Sequence, residues 1–446
     1  MIPQLRKLEQ KYPSEVVVVG VEAGKFPAER VTANIRQAVL RLDIDHPVVN
    51  DRRFRVWRSY GVNAWPTIAI VDPQGRILNV HPGEITFDVF DSIIAQIVQE
   101  SDAQGTLDRR PLDFLQPEHL AEPERALAFP GKVLATSDGR LFIADSDHNR
   151  ILVVDLAPDG ETGRVREIVG SGDASLADGG FARAAFHHPQ GLTLDGDVLY
   201  VADSENHAVR AVDLRNGRVT TVAGTGEQGH GFDLSGLGPR VSLSSPWDVV
   251  LAGRDLYIAM AGTHQIYRFG LASGEVRRYA GSGLEDLVDD LLVGSALAQP
   301  MGIATDGRRL YFADSEASAV RWADLPPGDH VGTIVGTGLF DYGDVDGVGD
   351  AVRLQHDQGI AWAEGRLYVA DTYNNKIKVV DPGTRRATTL FGGDTPGYRD
   401  GDAPLFYEPG GIGVVGNKLY IADTNNHAIR VANLVMGRVE TVHLQF

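Results

Sequence analysis

The stretch Leu199-Tyr200-Val201-Ala202-Asp203-Ser204-Glu205-Asn206-His207-Ala208-Val209-Arg210-Ala211-Val212-Asp213-Leu214 decides the fold. A short apolar run ends on an aspartate, a polar turn follows, and a second apolar run begins: two short strands with a tight connection. The phrase recurs. Leu141-Phe142-Ile143-Ala144-Asp145, Leu256-Tyr257-Ile258-Ala259-Met260, Leu310-Tyr311-Phe312-Ala313-Asp314, Leu367-Tyr368-Val369-Ala370-Asp371 and Leu419-Tyr420-Ile421-Ala422-Asp423 align with it, their leading leucines separated by 58, 57, 54, 57 and 52 residues. A third strand follows each pair, as in Arg218-Val219-Thr220-Thr221-Val222-Ala223, and an opening strand, usually introduced by proline, precedes it, as in Pro189-Gln190-Gly191-Leu192. Four short strands repeated six times specify a six-bladed β-propeller. Each blade is expected to be contiguous in sequence, the last ending at Val439–Phe446.

Within the repeat, the pattern Ala-Asp-Ser/Thr-x-Asn-x-x-Ile/Val-Arg/Lys closely resembles the NHL repeat, over about residues 130–446. The first 100 residues read differently. Val16–Val21 is a continuous apolar run of the kind found in a buried parallel strand; Glu29–Leu42 carries apolar residues at helical spacing, and Phe54–Tyr60 reads as a short helix. Thr67–Val71 and Ile77–Val80 are strands joined by the turn Asp72-Pro73-Gln74-Gly75, and Ile85–Val98 closes the segment as an amphipathic helix. This alternation is an α/β pattern. Tyr60-Gly61-Val62-Asn63-Ala64-Trp65-Pro66-Thr67, followed by an apolar strand, Asp72 and Gly75, resembles the second half of a thioredoxin fold of the TlpA type. That resemblance implies a cis proline at Pro66, and it places the family's first strand and Cys-x-x-Cys before Met1. Without that thiolate the segment cannot carry out thiol–disulfide exchange. The fold class expected is therefore multidomain, α/β plus all-β: a partial thioredoxin-like domain over residues 1–100, a linker over 101–128, and a six-bladed NHL-type propeller over 129–446. Together the two parts resemble the thioredoxin-like NHL-repeat proteins, which implies a protein-interaction role.

Composition narrows the chemistry. The 446 residues carry a net charge of −18, and residues 1–100 hold 12 basic and 12 acidic side chains, so the whole excess lies in the repeat-bearing part. A field of that sign repels phosphate backbones, so no nucleic-acid partner is expected. No apolar run approaches the ~20 residues of a membrane span, and the start shows no signal pattern, so the expectation is a soluble, cytoplasmic protein without a membrane partner. There are no cysteines. That removes thiolate metal sites and cysteine nucleophiles, and no cofactor is expected.

Asp145, Asp203, Asp314, Asp371 and Asp423 each end an apolar strand and enter a turn, where a carboxylate accepts backbone N–H groups. A fold constraint recurs in every blade, whereas an active site occurs once, so these residues and Asn206, Asn374 and Asn426 read as structural. Met260 and Ala317-Ser318 break the pattern. Function is better placed at the channel mouth, where opening strands begin: Gln190, Trp247, Met301, His356 and Gln358 are the candidate binding residues for a protein partner or small ligand. His188, His356 and Glu408 are metal-capable, but His188 and His356 stand on opposite blades, too far apart for ligand bonds of ~2.0–2.2 Å, so no metal site is expected. Asp341, Asp344, Asp346 and Asp350 form the densest acidic loop, yet the glutamate expected at the twelfth position of an EF-hand loop is missing, and Asp-Gly loops at Asp178 and Asp400 point to a repeat feature. Gly224-Thr225-Gly226-Glu227-Gln228-Gly229 opens no helix and carries no dinucleotide reading.

The leading expectation is a non-enzymatic interaction or scaffold protein with a propeller binding face and a redox-inactive thioredoxin-like module. The alternative is a metal-dependent hydrolase or lyase working at the channel mouth, or a thiol redox protein if the natural chain extends upstream of Met1. Oligomeric state is not legible.

Overall fold

The computed structural model describes residues 1–110, 123 and 125–446. It divides into two compact units, Met1–Glu124 and Arg125–Phe446. The expected linker, 101–128, is therefore described only in part. Its first residues are helical, because the helix expected to end at Val98 runs Phe87–Ala103.

In the first unit, the helices Ile2–Lys11 and Phe87–Ala103 bury Leu8, Phe90 and Ile94 in one cluster with Ile70 and Ile85. Gly20–Glu22 pairs in parallel with Val48–Asn50, and Thr67–Val71 pairs antiparallel with Ile77–Pro82. The hairpin turn is held by the Asp72 carboxylate, which accepts the N–H groups of Gln74 (3.0 Å) and Arg76 (2.9 Å), while Gly75 takes φ +80°. The Trp65–Pro66 bond is cis, and the Trp65 indole donates to the Ala23 carbonyl (2.8 Å). The apolar run Val16–Val21 is not buried as expected. Val17, Val19 and Val21 are exposed and only Gly20–Glu22 forms a strand, because one side of the run has no covering layer.

The second unit is a six-bladed propeller. Blade 2 shows the plan: Pro189–Asp195 innermost, then Val198–Asp203, Ala208–Asp213 and Arg218–Ala223, all antiparallel. The inner strands of the other blades begin at Pro130, Pro246, Pro300, Gly359 and Pro409. The apolar runs are continuous, rather than alternating, because every blade is covered on both faces. Leu141 and Ile143 pack toward blade 6 with Tyr420 and Val431, whereas Phe142 and Ala144 pack toward blade 2 with Leu192 and Val201.

Blade contiguity holds for the four main strands, with one correction at the end. Blade 6 ends at Arg438–Thr441, and His443–Gln445 leaves it to pair in parallel with Thr162–Arg164 at the outer edge of blade 1. The terminal strand covers an edge that would otherwise present unpaired N–H and C=O groups, and it ties the last blade to the first.

Candidate functional site

Two rings of hydrogen bonds position the mouth of the channel. In the first, the hydroxyl that follows the repeat aspartate donates to the carbonyl at the start of the next blade: Ser146 to Pro189 (2.7 Å), Ser204 to Pro246 (2.6 Å), Ser315 to Asp357 (2.6 Å), Thr372 to Pro409 (2.9 Å) and Thr424 to Pro130 (2.9 Å). Blade 3 has Ala261 there. The second ring runs through all six blades. The residue before the proline position donates its N–H to a side chain of the preceding blade: Phe129 to His427 Nδ1 (3.2 Å), His188 to Asn149 (2.9 Å), Ser245 to His207 Nδ1 (3.0 Å), Gln299 to His264 Nδ1 (3.1 Å), His356 to Ser318 (3.2 Å) and Glu408 to Asn375 (2.9 Å). Every donor and every acceptor residue in this ring has φ between +44° and +62°. These twelve left-handed residues, in a backbone region sparsely used by side-chain-bearing residues, are set by the clasp. An accepting imidazole nitrogen carries no proton.

The repeated aspartates do what their recurrence implies. Asp145, Asp203, Asp314, Asp371 and Asp423 accept the backbone N–H of Ala128, His187, Ala298, Gln355 and Tyr407 at 2.7–2.8 Å. In blade 3 the Met260 sulfur takes that place, accepting from Ser244 N–H at 3.3 Å. Asn206, Asn374 and Asn426 bridge the aspartate to loop carbonyls of Ser175, Gly343 and Gly397. Buried Arg210, Arg321, Lys378 and Arg430 then join Asp203, Asp314, Asp371 and Asp423 to Asp178, Asp289, Asp344 and Asp400 of the loops. Asp344 and Asp346 of the dense acidic loop thus have Lys378 as their cation.

Above this frame the mouth holds a shallow cavity open to solvent, and four of the five candidate residues line it: Gln190, Trp247, Met301 and Gln358. The fifth does not. His356 is buried, stacked on Tyr373 (ring centroids 4.4 Å apart) and within 3.4 Å of Glu316, because the left-handed backbone at position 356 turns its ring away from the axis; it reaches the cavity only through Gln358, 3.3 Å from its Nδ1. Trp247 is half-buried rather than fully exposed.

Sequence reasoning missed the floor. One residue further along the inner strands stand Lys132, Gly191, Asp248, Gly302, Gly359 and Gly411. A Cβ added at Gly302 would lie 2.3 Å from the Gln358 carbonyl oxygen, one at Gly359 2.2 Å from that of Gly410, and one at Gly411 2.5 Å from that of Gly131. The inner strands therefore pack backbone to backbone on these sides. In the space left on the other side, the Lys132 ammonium bonds to the Asp248 carboxylate, linking blade 1 to blade 3. Asp248 also accepts Ile303 N–H (3.1 Å) and Val249 N–H (2.8 Å). Burial pushes the Asp248 carboxyl above its ordinary range, and the ammonium and these N–H groups oppose the shift. The floor of this cavity is a buried ion pair. The signal lay in the exceptions to a glycine column.

Among the described residues no cluster of three or more histidines and acids is placed to hold a metal ion, and no helix is long and apolar enough to cross a membrane.

The NHL repeat model matches residues 186–212 and 406–432. Protein SUPPRESSOR OF QUENCHING 1, chloroplastic, of Arabidopsis thaliana is 41% identical over 458 residues, covering 98% of this chain and 43% of that protein. NHL repeat-containing protein 2 of Homo sapiens is 39% identical over 477 residues, covering 97% of this chain and 64% of that protein. The chain thus spans less than two thirds of the length of either relative. Over 22% of the chain, the thiol-disulfide oxidoreductase ResA of Halalkalibacterium halodurans is 26% identical across 100 residues, 54% of its own length. With six repeats folded as six blades and the repeat aspartates, asparagines and hydroxyls clasping them, the chain carries NHL repeats within a six-bladed β-propeller.

Proposed function

We propose that this chain is a non-enzymatic interaction protein whose propeller presents its channel mouth to a protein partner or small ligand. The observation that carries the reading is the closed floor: with Lys132 and Asp248 paired below it, the cavity is a shallow cup rimmed by Trp247, Met301 and two glutamines. Such a shallow cup can receive the tip of a side chain or ligand group laid over the mouth. A half-buried indole beside a thioether offers apolar contact area, while the amides supply orientation. The repeated carboxylates and cations are engaged in holding blades and loops together, so they support rigidity rather than turnover. The first unit is read as a thioredoxin-like docking module; its α/β element order and its partial similarity to a thiol-disulfide oxidoreductase support this, and the absence of cysteine makes it redox-inactive as it stands.

The test uses the immobilised full chain and its Trp247→Ala variant to capture proteins and metabolites from the source cell. Species retained by the parent and lost with Trp247→Ala, at a melting temperature changed by only a few degrees, are the expected result. A large drop in melting temperature would make Trp247 a core residue, and catalytic consumption of any compound from a metabolite extract would overturn the reading altogether.

A further inference from the structure

The loops that carry the chain from one blade to the next lie on the mouth side, and they are not all held in the same way. In blades 2, 5 and 6 the loop is tied down by an asparagine amide, from Asn206, Asn374 or Asn426. Blade 4 has Ala317 at that position, and there Leu287 and Leu339 pack on Ala298, Ala317 and Ala319 instead. Beside the retained bonds from Arg321 to Val288 and Asp289, the asparagine tie has given way to apolar contact, joining the loop before blade 4 to the loop after it.

Large apolar side chains stand exposed beside this cluster: Phe232 (51%), Leu284 (71%) and Phe340 (70%). They are connected. The Phe232 ring lies against Gly283, where an added Cβ would come within 2.4 Å of it, and Leu284 and Phe340 are close in sequence to the packed pair Leu287 and Leu339. The result is a ridge along the mouth side of blades 3 to 5. Singly exposed apolar residues are ordinary, but three on adjoining loops, two of them within three residues of a buried apolar cluster, form a patch.

The ridge is flanked by negative charge. Residues 281–299 hold four acidic side chains and no Lys or Arg, and residues 336–356 hold four with one Arg. Asp289, Asp344, Asp346 and Asp350 are paired with Arg321, Lys378 and Arg385. Glu285, Asp286 and Asp341 form no ion pair among the described residues and adjoin Leu284 and Phe340 in sequence. We infer that this ridge docks a basic segment of a partner protein, one that inserts apolar side chains among Phe232, Leu284 and Phe340 and sets Lys or Arg against Glu285, Asp286 and Asp341. Charge selects the occupant. A second copy of the chain, meeting the ridge through the same surface, would oppose carboxylate to carboxylate, and an anionic lipid surface or nucleic acid would be repelled in the same way.

The inference rests on the interaction-protein reading above, and its test separates the two. The full chain is titrated with three synthetic peptides of about 16 residues, alternating Lys/Leu, Glu/Leu or Lys/Ser, at about 50 mM and about 200 mM salt. Saturable binding of the Lys/Leu peptide is expected, weakened at least about tenfold by Leu284→Ser with Phe340→Ser, and equally by Glu285→Lys with Asp341→Lys. The second pair should also admit the Glu/Leu peptide. Asp195→Lys with Asp197→Lys, on the turn at the opposite end of the inner strand, should change affinity less than about twofold. Hydrogen-exchange protection is expected at residues 282–287 and 337–341. Equal binding of the Lys/Ser peptide, an equal effect of the control pair, or dimerisation abolished by the serine pair would each overturn the ridge. Binding lost with Trp247→Ala and kept in the ridge variants would overturn it too, while leaving the mouth reading standing.

Discussion

Asp357 occupies, in blade 5, the position that is proline in the other five blades, and both of its carboxyl oxygens are buried without a hydrogen-bond partner. Burial, reinforced by the charges of Asp371 and Asp314, pushes its carboxyl well above the ordinary range. The folded state thus holds a proton that the unfolded chain releases near pH ~3.9. Stability from this group is fully present below that pH and is lost as pH rises toward the folded value, at about 1.4 kcal/mol for each pH unit crossed. Asp357→Asn removes the titration but keeps an unpartnered polar group, a roughly constant cost of about 1–3 kcal/mol. The stability difference between variant and parent should therefore move in the variant's favour as pH rises from 4 toward 7, by up to about 1.4 kcal/mol per unit. Asp357→Pro should do better at every pH. His356 already has the left-handed backbone (φ +50°) of the five pre-proline residues, so the ring conformation gains about 0.4–1 kcal/mol from a stiffer unfolded chain. Urea unfolding of the three proteins between pH 4 and pH 8, followed by tryptophan fluorescence, measures both effects. A parent–Asn difference that stays flat across that range would refute the reasoning, since it would mean that Asp357 is ionised and paired in the folded state.

The two clasp rings give sharper, smaller tests. Ala261→Ser should supply the hydroxyl that blade 3 lacks and add a bond to the Pro300 carbonyl, raising stability by about 0.5–1.5 kcal/mol in the same assay; no gain would mean that blades 3 and 4 meet differently from the other pairs. His264→Ala should cost about 1 kcal/mol by orphaning the Gln299 N–H, whereas His264→Asn should retain most of it, because Asn149 and Asn375 already perform that task in blades 1 and 5. Equal losses for the two variants would show that the imidazole matters for packing rather than as an acceptor.

The amino-acid order alone determined the blade number, the strand order within a blade and the structural role of the recurring aspartates. Those features are periodic: a constraint repeated six times rises above the variation of any one copy, and apolar runs such as Leu141–Ala144 announce that both faces of a strand are covered. The order also placed the mouth, because proline marks where five of the six inner strands begin, and four of the five residues chosen there line the cavity. Tertiary structure decided what depends on the angle of a side chain or on a contact between distant blades. His356 leaves the mouth because a left-handed backbone turns it toward Tyr373. Lys132 and Asp248 meet at the channel because glycine at the equivalent positions of the other blades brings the inner strands close together, and a pair 116 residues apart carries no local signal. The last strand, His443–Gln445, looks like the end of blade 6 by spacing alone. It crosses to blade 1 because the outer edge there offers free backbone groups, whereas on the outer strand of blade 6 Val439 already pairs with Gly401.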